Sequence, residues 1–297
     1  MSNSDRRTWL ITGASRGLGR AFTEAALRHG ERVVATVRDT HALDELASSW
    51  GAQLVRRQLD VSDRAAVMSV VDDVVDEVGS LDVVVNNAGY ALVGAIEEIS
   101  EAQARAQLDT NLFGALWVTQ AVLPHLRAQG SGRIVQISTV GAVGALPLFG
   151  IYNASKWALE GFSAALAEEV SPLGIGVHIL QLGGFATDWA GRSMRFAAEV
   201  PAYDELRRGI FESVGYPDLS EVDPAEYEAA EGGFDAPPSV AAEALLRLVD
   251  SPDPPLRSVV GIGAAAMVRM ALEGRRDDYE KDARFTWPAP TRPPAPD

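Results

Sequence analysis

Short runs rich in β-branched residues alternate with longer segments of helical periodicity along most of this chain, such as the helical patterns at 18–29 and 239–249. Two such runs with a helix between them form a strand–helix–strand unit, whose crossover connection makes the strands parallel. The predicted strands are residues 8–12, 32–37, 54–59, 81–86, 132–138, 175–182 and 257–262. We therefore expect a doubly wound, three-layer α/β fold, in which helices cover both faces of a central parallel sheet of about seven strands.

The alternation stops after residue 182. Residues 183–238 carry aromatic residues scattered among acids, and we predict that they form a substrate lobe within one domain, residues 1–287. Between residues 199 and 235 there are 11 acidic residues and 2 arginines, which give 9 of the 15 net negative charges. This segment is either a solvated surface lobe or a lid that steers charged molecules. Residues 288–297 contain five prolines and predict a flexible tail.

Composition excludes several classes of function. The chain contains no cysteine, so disulfides, thiolate metal sites and cysteine nucleophiles are excluded. A net charge of −15 repels nucleic acid and anionic membranes. The sequence starts without the apolar run of a signal peptide and has no stretch of about 18 apolar residues, which predicts a cytoplasmic protein. Its 4 histidines lie far apart in the sequence, so no metal site is predicted.

The segment Thr12-Gly13-Ala14-Ser15-Arg16-Gly17-Leu18-Gly19 lies between the first predicted strand and the first predicted helix. Glycines at such a junction let the backbone turn tightly and let a pyrophosphate approach the helix N-terminus, where free N–H groups and the helix dipole favour an anion. The position of the turn between strand and helix thus indicates a dinucleotide site.

The end of the second predicted strand, Thr36-Val37-Arg38, bears on which dinucleotide is bound. Chains that prefer NAD have an acidic residue there, which accepts hydrogen bonds from the adenosine ribose. Val37 cannot accept them, whereas Arg38 and Arg16 could bind a 2′-phosphate through charge-assisted hydrogen bonds. We therefore predict NADP(H), with two ordinary surface arginines as the alternative, and Asp39 could weaken the charge of its neighbour Arg38.

Tyr152 and Lys156 stand four residues apart in a segment predicted to be helical over 152–170, so they share one face. A free tyrosine has a pKa near 10, which is too high for easy proton exchange at neutral pH. A nearby ammonium and an oxidised nicotinamide would both favour the phenolate and lower that pKa. The pair indicates acid–base chemistry, although a tyrosine and a lysine at this spacing also occur by chance on helix surfaces.

Four motifs in order make the chain resemble the short-chain dehydrogenase/reductase family from Thr8 to about Gly263. They are the glycine turn, Asp60-Val61, Asn86-Asn87-Ala88-Gly89, and the segment from Tyr152 to Lys156. The resemblance implies a Rossmann-like fold, a nicotinamide cofactor and a homodimer. It also implies that Asn111, in Thr110-Asn111-Leu112-Phe113-Gly114, supports a water-linked proton path through Lys156.

The resemblance implies roles for individual residues. Tyr152 resembles the general acid that protonates a carbonyl oxygen, and Lys156 would lower the pKa of Tyr152 and hold the nicotinamide ribose. Thr187 resembles the residue that reaches the carboxamide or the pyrophosphate. The residues implied in cofactor binding are Gly13, Ser15, Arg16, Gly17, Leu18, Gly19, Arg38, Asp60, Val61, Asn87, Ala88, Gly89, Tyr152, Lys156 and Thr187.

Two positions depart from the family pattern. The catalytic serine of the family corresponds to Thr139, with Ser138 one residue earlier. Threonine keeps the hydroxyl, and in an extended strand Ser138 points to the opposite side, so we predict that Thr139 orients the substrate oxygen. The second departure is Leu182-Gly183, where the family commonly has Pro-Gly. Leucine restores an N–H group and frees φ, which could alter the backbone beneath the nicotinamide.

Together these features predict hydride transfer between NADP(H) and a carbonyl or secondary alcohol. Aromatic residues after the sixth strand, with Tyr90 and Val93, favour a bulky apolar substrate; they are Phe185, Trp189, Phe196, Tyr203, Phe211 and Tyr216. Two other classes stay open, because a fold does not fix a function. A dehydratase or epimerase would keep the cofactor pocket without net consumption of NADPH. A cofactor-sensing binding protein would more typically lack Tyr152 or Lys156.

Overall fold

A computed structural model of the chain describes residues 6–187, 194–217 and 235–285. The strands, numbered along the chain, are β1 Thr8–Thr12, β2 Arg32–Val37, β3 Leu54–Gln58, β4 Val83–Asn86, β5 Ala91–Val93, β6 Gly132–Thr139, β7 Ile175–Leu182, β8 Met194–Phe196 and β9 Arg257–Val260. The helices are α1 Gly17–Arg28, α2 Asp44–Trp50, α3 Arg64–Val78, α4 Glu101–Leu108, α5 Ala115–Gln129, α6 Gly150–Val170, α7 Asp204–Phe211, α8 Pro238–Asp250 and α9 Ala264–Tyr279.

Seven of these strands form one parallel sheet in the order β3-β2-β1-β4-β6-β7-β9. Alternate residues of the central strands enter two separate hydrophobic cores. Ile11 and Val85 pack on one face with Phe22 of α1, whereas Leu10 and Val84 pack on the other with helices α3 and α5. Burial on both faces explains why β1, β2 and β4 are mostly apolar rather than alternating. The predicted doubly wound α/β fold is confirmed.

Strands β1 and β4 lie side by side, but the chain leaves them in opposite directions. After β1 it builds β2 and β3 on one side, and after β4 it builds β6, β7 and β9 on the other. The loops that follow β1 and β4 therefore separate and open a crevice at the carboxyl ends of the strands. Thr12 and Asn86 are the last residues of these two strands, so the glycine turn and the Asn-Asn-Ala-Gly motif face each other across this crevice.

A smaller parallel sheet places the described part of the predicted lobe over the crevice. Strand β8 pairs with β5 in the register Leu92↔Arg195. The Glu98 carboxylate, which is fully buried, accepts hydrogen bonds from Ala95 N, Val200 N, the Tyr216 hydroxyl and the Arg207 guanidinium. A buried carboxylate with this many donors costs far less than an unpaired one. Glu98 thus fixes residues 200–216 to the turn that follows β5.

The predicted strand boundaries need small corrections. Strand β4 begins at Val83 rather than Leu81, β3 ends one residue early and β6 extends to Thr139. Strand β9 ends at Val260, because Gly261 adopts a φ of +127° that breaks an extended strand. The sequence analysis did not predict β5, β8 or α9. Trp189, residues 218–234 of the acidic segment and the proline-rich tail lie outside the described residues. Within the described residues no helix is long and apolar enough to cross a membrane.

Candidate active site

A cavity of about 860 Å³ opens at the carboxyl ends of the strands. All the residues predicted to bind the cofactor line it, together with Thr139. Among the residues predicted to act in catalysis or cofactor binding, Asn111 is the one that does not line it; this side chain is buried behind the wall. Motifs spread over 175 residues of sequence, from Gly13 to Thr187, thus meet at one surface.

The glycine turn is held in place by backbone and side-chain hydrogen bonds. Gly13 N and Ala14 N both donate to Thr36 O, at 3.0 and 3.2 Å. Gly13 and Gly17 adopt φ values of +67° and +52°, which favour glycine. At Gly19 a Cβ atom would lie 2.2 Å from Gly13 O, so this position has no room for any side chain. The glycines therefore shape the backbone that leads into α1.

Thr12 and Asn87 connect this turn to the loop after β4. The Thr12 hydroxyl accepts hydrogen bonds from Asn87 N and Ala88 N, each at 3.0 Å. The Asn87 side chain donates to Thr12 O at 2.9 Å and Gly13 O at 3.2 Å. Asn87 lines the cavity, but its amide is directed at the turn. The sequence analysis included Thr12 in the turn but predicted no role for it. Its position at the end of a strand, directly before the glycines, could have indicated one.

The far end of the cavity carries a cation and a carboxylate. Val37 is buried in the wall, and Arg38 is exposed beside it. Among the described residues Arg38 makes no ion pair, and the Asp39 carboxylate accepts from His41 N at 3.0 Å. A hydrogen bond from the Ser62 hydroxyl lowers the pKa of Asp60, and the charge of Arg38 acts in the same direction.

Tyr152 and Lys156 lie on one face of α6, both buried in the cavity wall. Lys156 Nζ donates to Ile137 O of β6 at 2.7 Å. Burial lowers the pKa of Lys156 to about 8, and the Glu160 carboxylate opposes that shift. Burial raises the pKa of Tyr152 to about 12, while a hydrogen bond with the Thr139 side chain acts in the opposite direction.

The lowered pKa expected for Tyr152 is not seen in the chain alone, where the pKa is raised. That expectation combined two cations, the ammonium and an oxidised nicotinamide, and it neglected the cost of burying a phenolate. In the structure this desolvation outweighs the hydrogen bond from Thr139. The Tyr152 hydroxyl is therefore protonated at neutral pH.

Thr139 and Ser138 point to opposite sides of β6. Ser138 is buried, and its hydroxyl donates to Glu160 Oε1 at 2.7 Å. Thr139 lines the cavity, bonds with Tyr152 and accepts from Gly141 N at 3.2 Å. The hydroxyl next to Tyr152 therefore comes from Thr139, as the alternation of side chains along a strand requires.

Asn111 lies in a π-helical segment, Asp109–Gly114, between α4 and α5. Its side chain donates to Tyr90 O at 2.9 Å and Ser155 Oγ at 3.2 Å, and accepts from Tyr90 N at 3.1 Å. These bonds connect the wall of the cavity to α6. The Asn111 side chain is thus engaged in fixing the loop that contains Tyr90.

Thr187 lies above the turn, where a Cβ atom on Gly17 would be 3.6 Å from the Thr187 Cβ.

Beyond Thr187, the cavity extends between β8 and α4. Of the aromatic residues predicted to form a substrate wall, Phe196 lines this part together with Tyr90, whereas Phe185 lines the cavity beside the loop after β7, where it pairs with Ala236. Tyr216 stacks on Phe196 from outside, with ring centroids 5.1 Å apart, and Phe211 and Tyr203 also pack outside the lining. Val93 is buried and does not line the cavity.

These residues fit a dinucleotide. The backbone at Gly13, Gly17 and Gly19 can approach a pyrophosphate at the start of α1, whose first turn contains no acidic residue. Arg16 and Arg38 would supply cations near an adenosine, and the Lys156 ammonium lies at the opposite end with the hydroxyls of Tyr152 and Thr139. Beside those hydroxyls the wall is mostly apolar, as expected for a small-molecule site.

Comparisons with known proteins agree with this geometry. Residues 7–196 match the short chain dehydrogenase family. A short-chain dehydrogenase structure from Streptomyces avermitilis has a TM-score of 0.82 at 36% identity, over 96% of this chain and 99% of its own. Oxidoreductase BOA17 of Botryotinia fuckeliana is 39% identical over 90% of this chain and 93% of its own length. Retinol dehydrogenase 8 of Bos taurus is 32% identical over 95% and 91%.

More distant solved structures share the fold. They include an alcohol dehydrogenase with 5-hydroxy-NADP at 24% identity and a short-chain dehydrogenase/reductase with NAD at 22%. The two complexes contain different dinucleotides, so they do not distinguish NADP from NAD for this chain.

The space around two glycines predicts opposite effects on stability when each is replaced by alanine. We expect Gly19→Ala to lower the free energy of unfolding by roughly 2–3 kcal/mol, because the added Cβ meets backbone that cannot move aside. Gly161→Ala on α6 is the control, since a Cβ there meets nothing within 4 Å; it should raise stability by about 0.5–1 kcal/mol. Urea unfolding measures both values. A Gly19→Ala protein as stable as the wild type would contradict this turn geometry.

Proposed function

Because the chain belongs to the short chain dehydrogenase family, we propose that it is an oxidoreductase that transfers a hydride between NADP(H) and a carbonyl or secondary alcohol. The observation that carries this proposal is the meeting of Tyr152, Thr139 and Lys156 in the cavity that also contains the glycine turn. The nicotinamide would supply the hydride. The residues of the chain would bind and orient the two reactants and move one proton.

In the reduction direction Tyr152 and Thr139 hold the carbonyl oxygen between their hydroxyls. Tyr152, whose hydroxyl is protonated at neutral pH, donates its proton to that oxygen. The Lys156 ammonium, positioned by Ile137 O, stabilises the negative charge that develops on the Tyr152 oxygen. This assigns Tyr152 as general acid, Thr139 as the oxygen-orienting residue and Lys156 as the electrostatic partner. Asn111 fixes the Tyr90 loop beside them.

The preference for NADP(H) rests on residues of this chain. Arg38 is exposed at the end of the cavity where the adenosine would lie, and Asp39 is turned away to cap the segment that starts at Thr40. Val37 offers no acceptor for a ribose hydroxyl. A 2′-phosphate would therefore meet a cation rather than a carboxylate next to β2.

We also propose a bulky apolar substrate. Phe196, Tyr90 and Leu92 line the part of the cavity beyond Tyr152, with Met194 beside them. The name of retinol dehydrogenase 8, which is similar to this chain, specifies an apolar alcohol. A screen of apolar ketones and alcohols that follows NADPH absorbance is the direct test. A cytoplasmic location and a homodimer stay predictions.

Replacing Tyr152 tests the proton transfer. With a substrate from that screen, we expect Tyr152→Phe to lower kcat by roughly 1000-fold, because the ring keeps its packing while the proton donor is lost. Tyr279→Phe on exposed α9 is the matched control and should leave kcat unchanged. Steady-state kinetics with NADPH measure both variants. Near-normal turnover by Tyr152→Phe would show that another group donates the proton.

A second pair of variants separates the two hydroxyls at the end of β6. Thr139→Ala should lower kcat by about 100-fold, since it removes the group next to Tyr152. Ser138→Ala removes one of several hydrogen bonds to Glu160 and should cost less than about tenfold. The reverse order of effects would assign the orienting role to Ser138.

Substitutions beside β2 test the choice of dinucleotide. Val37→Asp should lower the ratio of kcat/KM for NADPH over NADH by roughly 100-fold, because a carboxylate repels the 2′-phosphate and accepts from the NADH ribose. Arg38→Leu should lower it in the same direction. Arg28→Leu, an exposed arginine outside the cavity, is the control and should not change the ratio. An unchanged ratio in Val37→Asp would count against the assignment.

A further inference from the structure

Glu160 is a buried carboxylate that joins α6 to three strands of the sheet. Its side chain is 8% exposed. Glu160 Oε1 accepts from the Ser138 hydroxyl of β6 at 2.7 Å and from Gln181 Nε2 of β7 at 2.8 Å. Oε2 accepts from Gln181 Nε2 at 3.0 Å and from Arg257 Nε of β9 at 2.9 Å. Donors from three strands therefore fix the position of this negative charge.

The charge lies one helical turn from Lys156. Lys156 and Glu160 are four residues apart on α6, on the face that also contains Tyr152. The two side chains contact consecutive residues of β6, because Lys156 donates to Ile137 O and Glu160 accepts from Ser138. Burial opposes the charged form of Lys156, and Glu160 favours it.

We propose that Glu160 is a positioning residue whose carboxylate keeps the Lys156 side chain in its ammonium form at the buried end of the cavity. The catalytic consequence rests on the proposed function, in which Lys156 stabilises the Tyr152 oxygen. The hydrogen bonds from Ser138 and Gln181 come from neutral donors, so they hold the carboxylate without cancelling its charge. Arg257 is half-exposed at 43%, so solvent screens only part of its opposing charge.

The other charged or titratable groups around α6 either interact with other residues or lie at the edge of the sheet. Tyr152, on the same helix, titrates well above Lys156. From the π-helical segment, Asp109 acts on Tyr90. On the strand side the ionised group in contact with Glu160 is Arg257, and Gln181 and Ser138 are neutral. Among the described residues, Glu160 is therefore the acid placed to balance the Lys156 charge.

The sequence allows a direct measurement of that charge. The chain contains 2 lysines, Lys156 and Lys281, so protein labelled with 13C at lysine Cε gives two NMR signals. Lys281→Arg assigns them. In the wild type we expect the Lys156 signal to titrate near pH 8. In Glu160→Gln the midpoint should fall by about one pH unit, because a buried ammonium loses its nearest negative charge.

The direction of the shift separates an electrostatic role from a structural one. Loosened packing would admit water and raise the midpoint toward the ordinary value for lysine, the opposite of the expected result. Glu169→Gln removes the same charge from an exposed position on α6 and should leave the midpoint in place. A midpoint that is unchanged or higher in Glu160→Gln would overturn the proposal.

A second variant covers the case in which Glu160→Gln does not fold. Arg257→Met removes the cation that faces the carboxylate from the edge strand, so the midpoint of Lys156 should rise. If it stays in place or falls, Glu160 does not act on Lys156. The titration needs neither substrate nor dinucleotide, so it is independent of the proposed redox activity. Turnover in the reduction direction should decline at high pH, and the pH of this decline should move with the NMR midpoint.

These two readouts also keep the proposals apart. A shifted NMR midpoint in a protein that oxidises or reduces nothing in the screen would overturn the proposed function and support the charge pairing. A shifted midpoint together with an unmoved pH profile of turnover would overturn the catalytic consequence of the pairing.

Discussion

The hydroxyl of Thr12 ties together the two strands between which the cavity opens. It accepts from Asn87 N and Ala88 N, while the Asn87 side chain returns to Thr12 O and Gly13 O. Parallel strands at a topological switch point have loops that diverge, so nothing in the sheet itself holds those loops in register. These bonds do so, and they set the distance between the glycine turn and the wall that leads toward Tyr152. Both ends of the cavity depend on them.

Periodicity alone predicted much of the fold, because long strands buried on both faces leave a strong local signal. The directions of the key side chains also followed from local geometry. Tyr152 and Lys156 share a face of α6 because they are four residues apart, and Thr139 and Ser138 point to opposite sides of β6 because they are adjacent in a strand. Strands β5 and β8 were not predictable, since each has three residues and they pair across about 100 positions. Helix α9 was also missed; it is mostly exposed, so it lacks a buried apolar face that would mark it in the sequence.

Electrostatics was the least accessible property of the site. Sequence spacing places an ammonium near a phenol, but the sign of the pKa change of Tyr152 depends on how deeply both groups are buried. The same holds for Glu160, whose partners at Ser138, Gln181 and Arg257 are 21 to 97 residues away. Helical periodicity marks Glu160 as an inward-facing acid, and the tertiary structure supplies the donors that make its burial tolerable. Glu98 follows the same pattern in the lobe.

The departure at Leu182-Gly183 connects these features. Leucine keeps the N–H group that a proline would lack, and β7 continues through Leu182, which pairs with Thr139 of β6 and Val260 of β9. Gly183 N then donates to Val260 O at 2.9 Å, so β9 stays paired up to the edge of the cavity. Because β9 is held in this register, Arg257 reaches Glu160 from the open edge of the sheet. The pairing of β7 with β9, which continues through Leu182, therefore places a cation against the carboxylate that we propose to pair with Lys156.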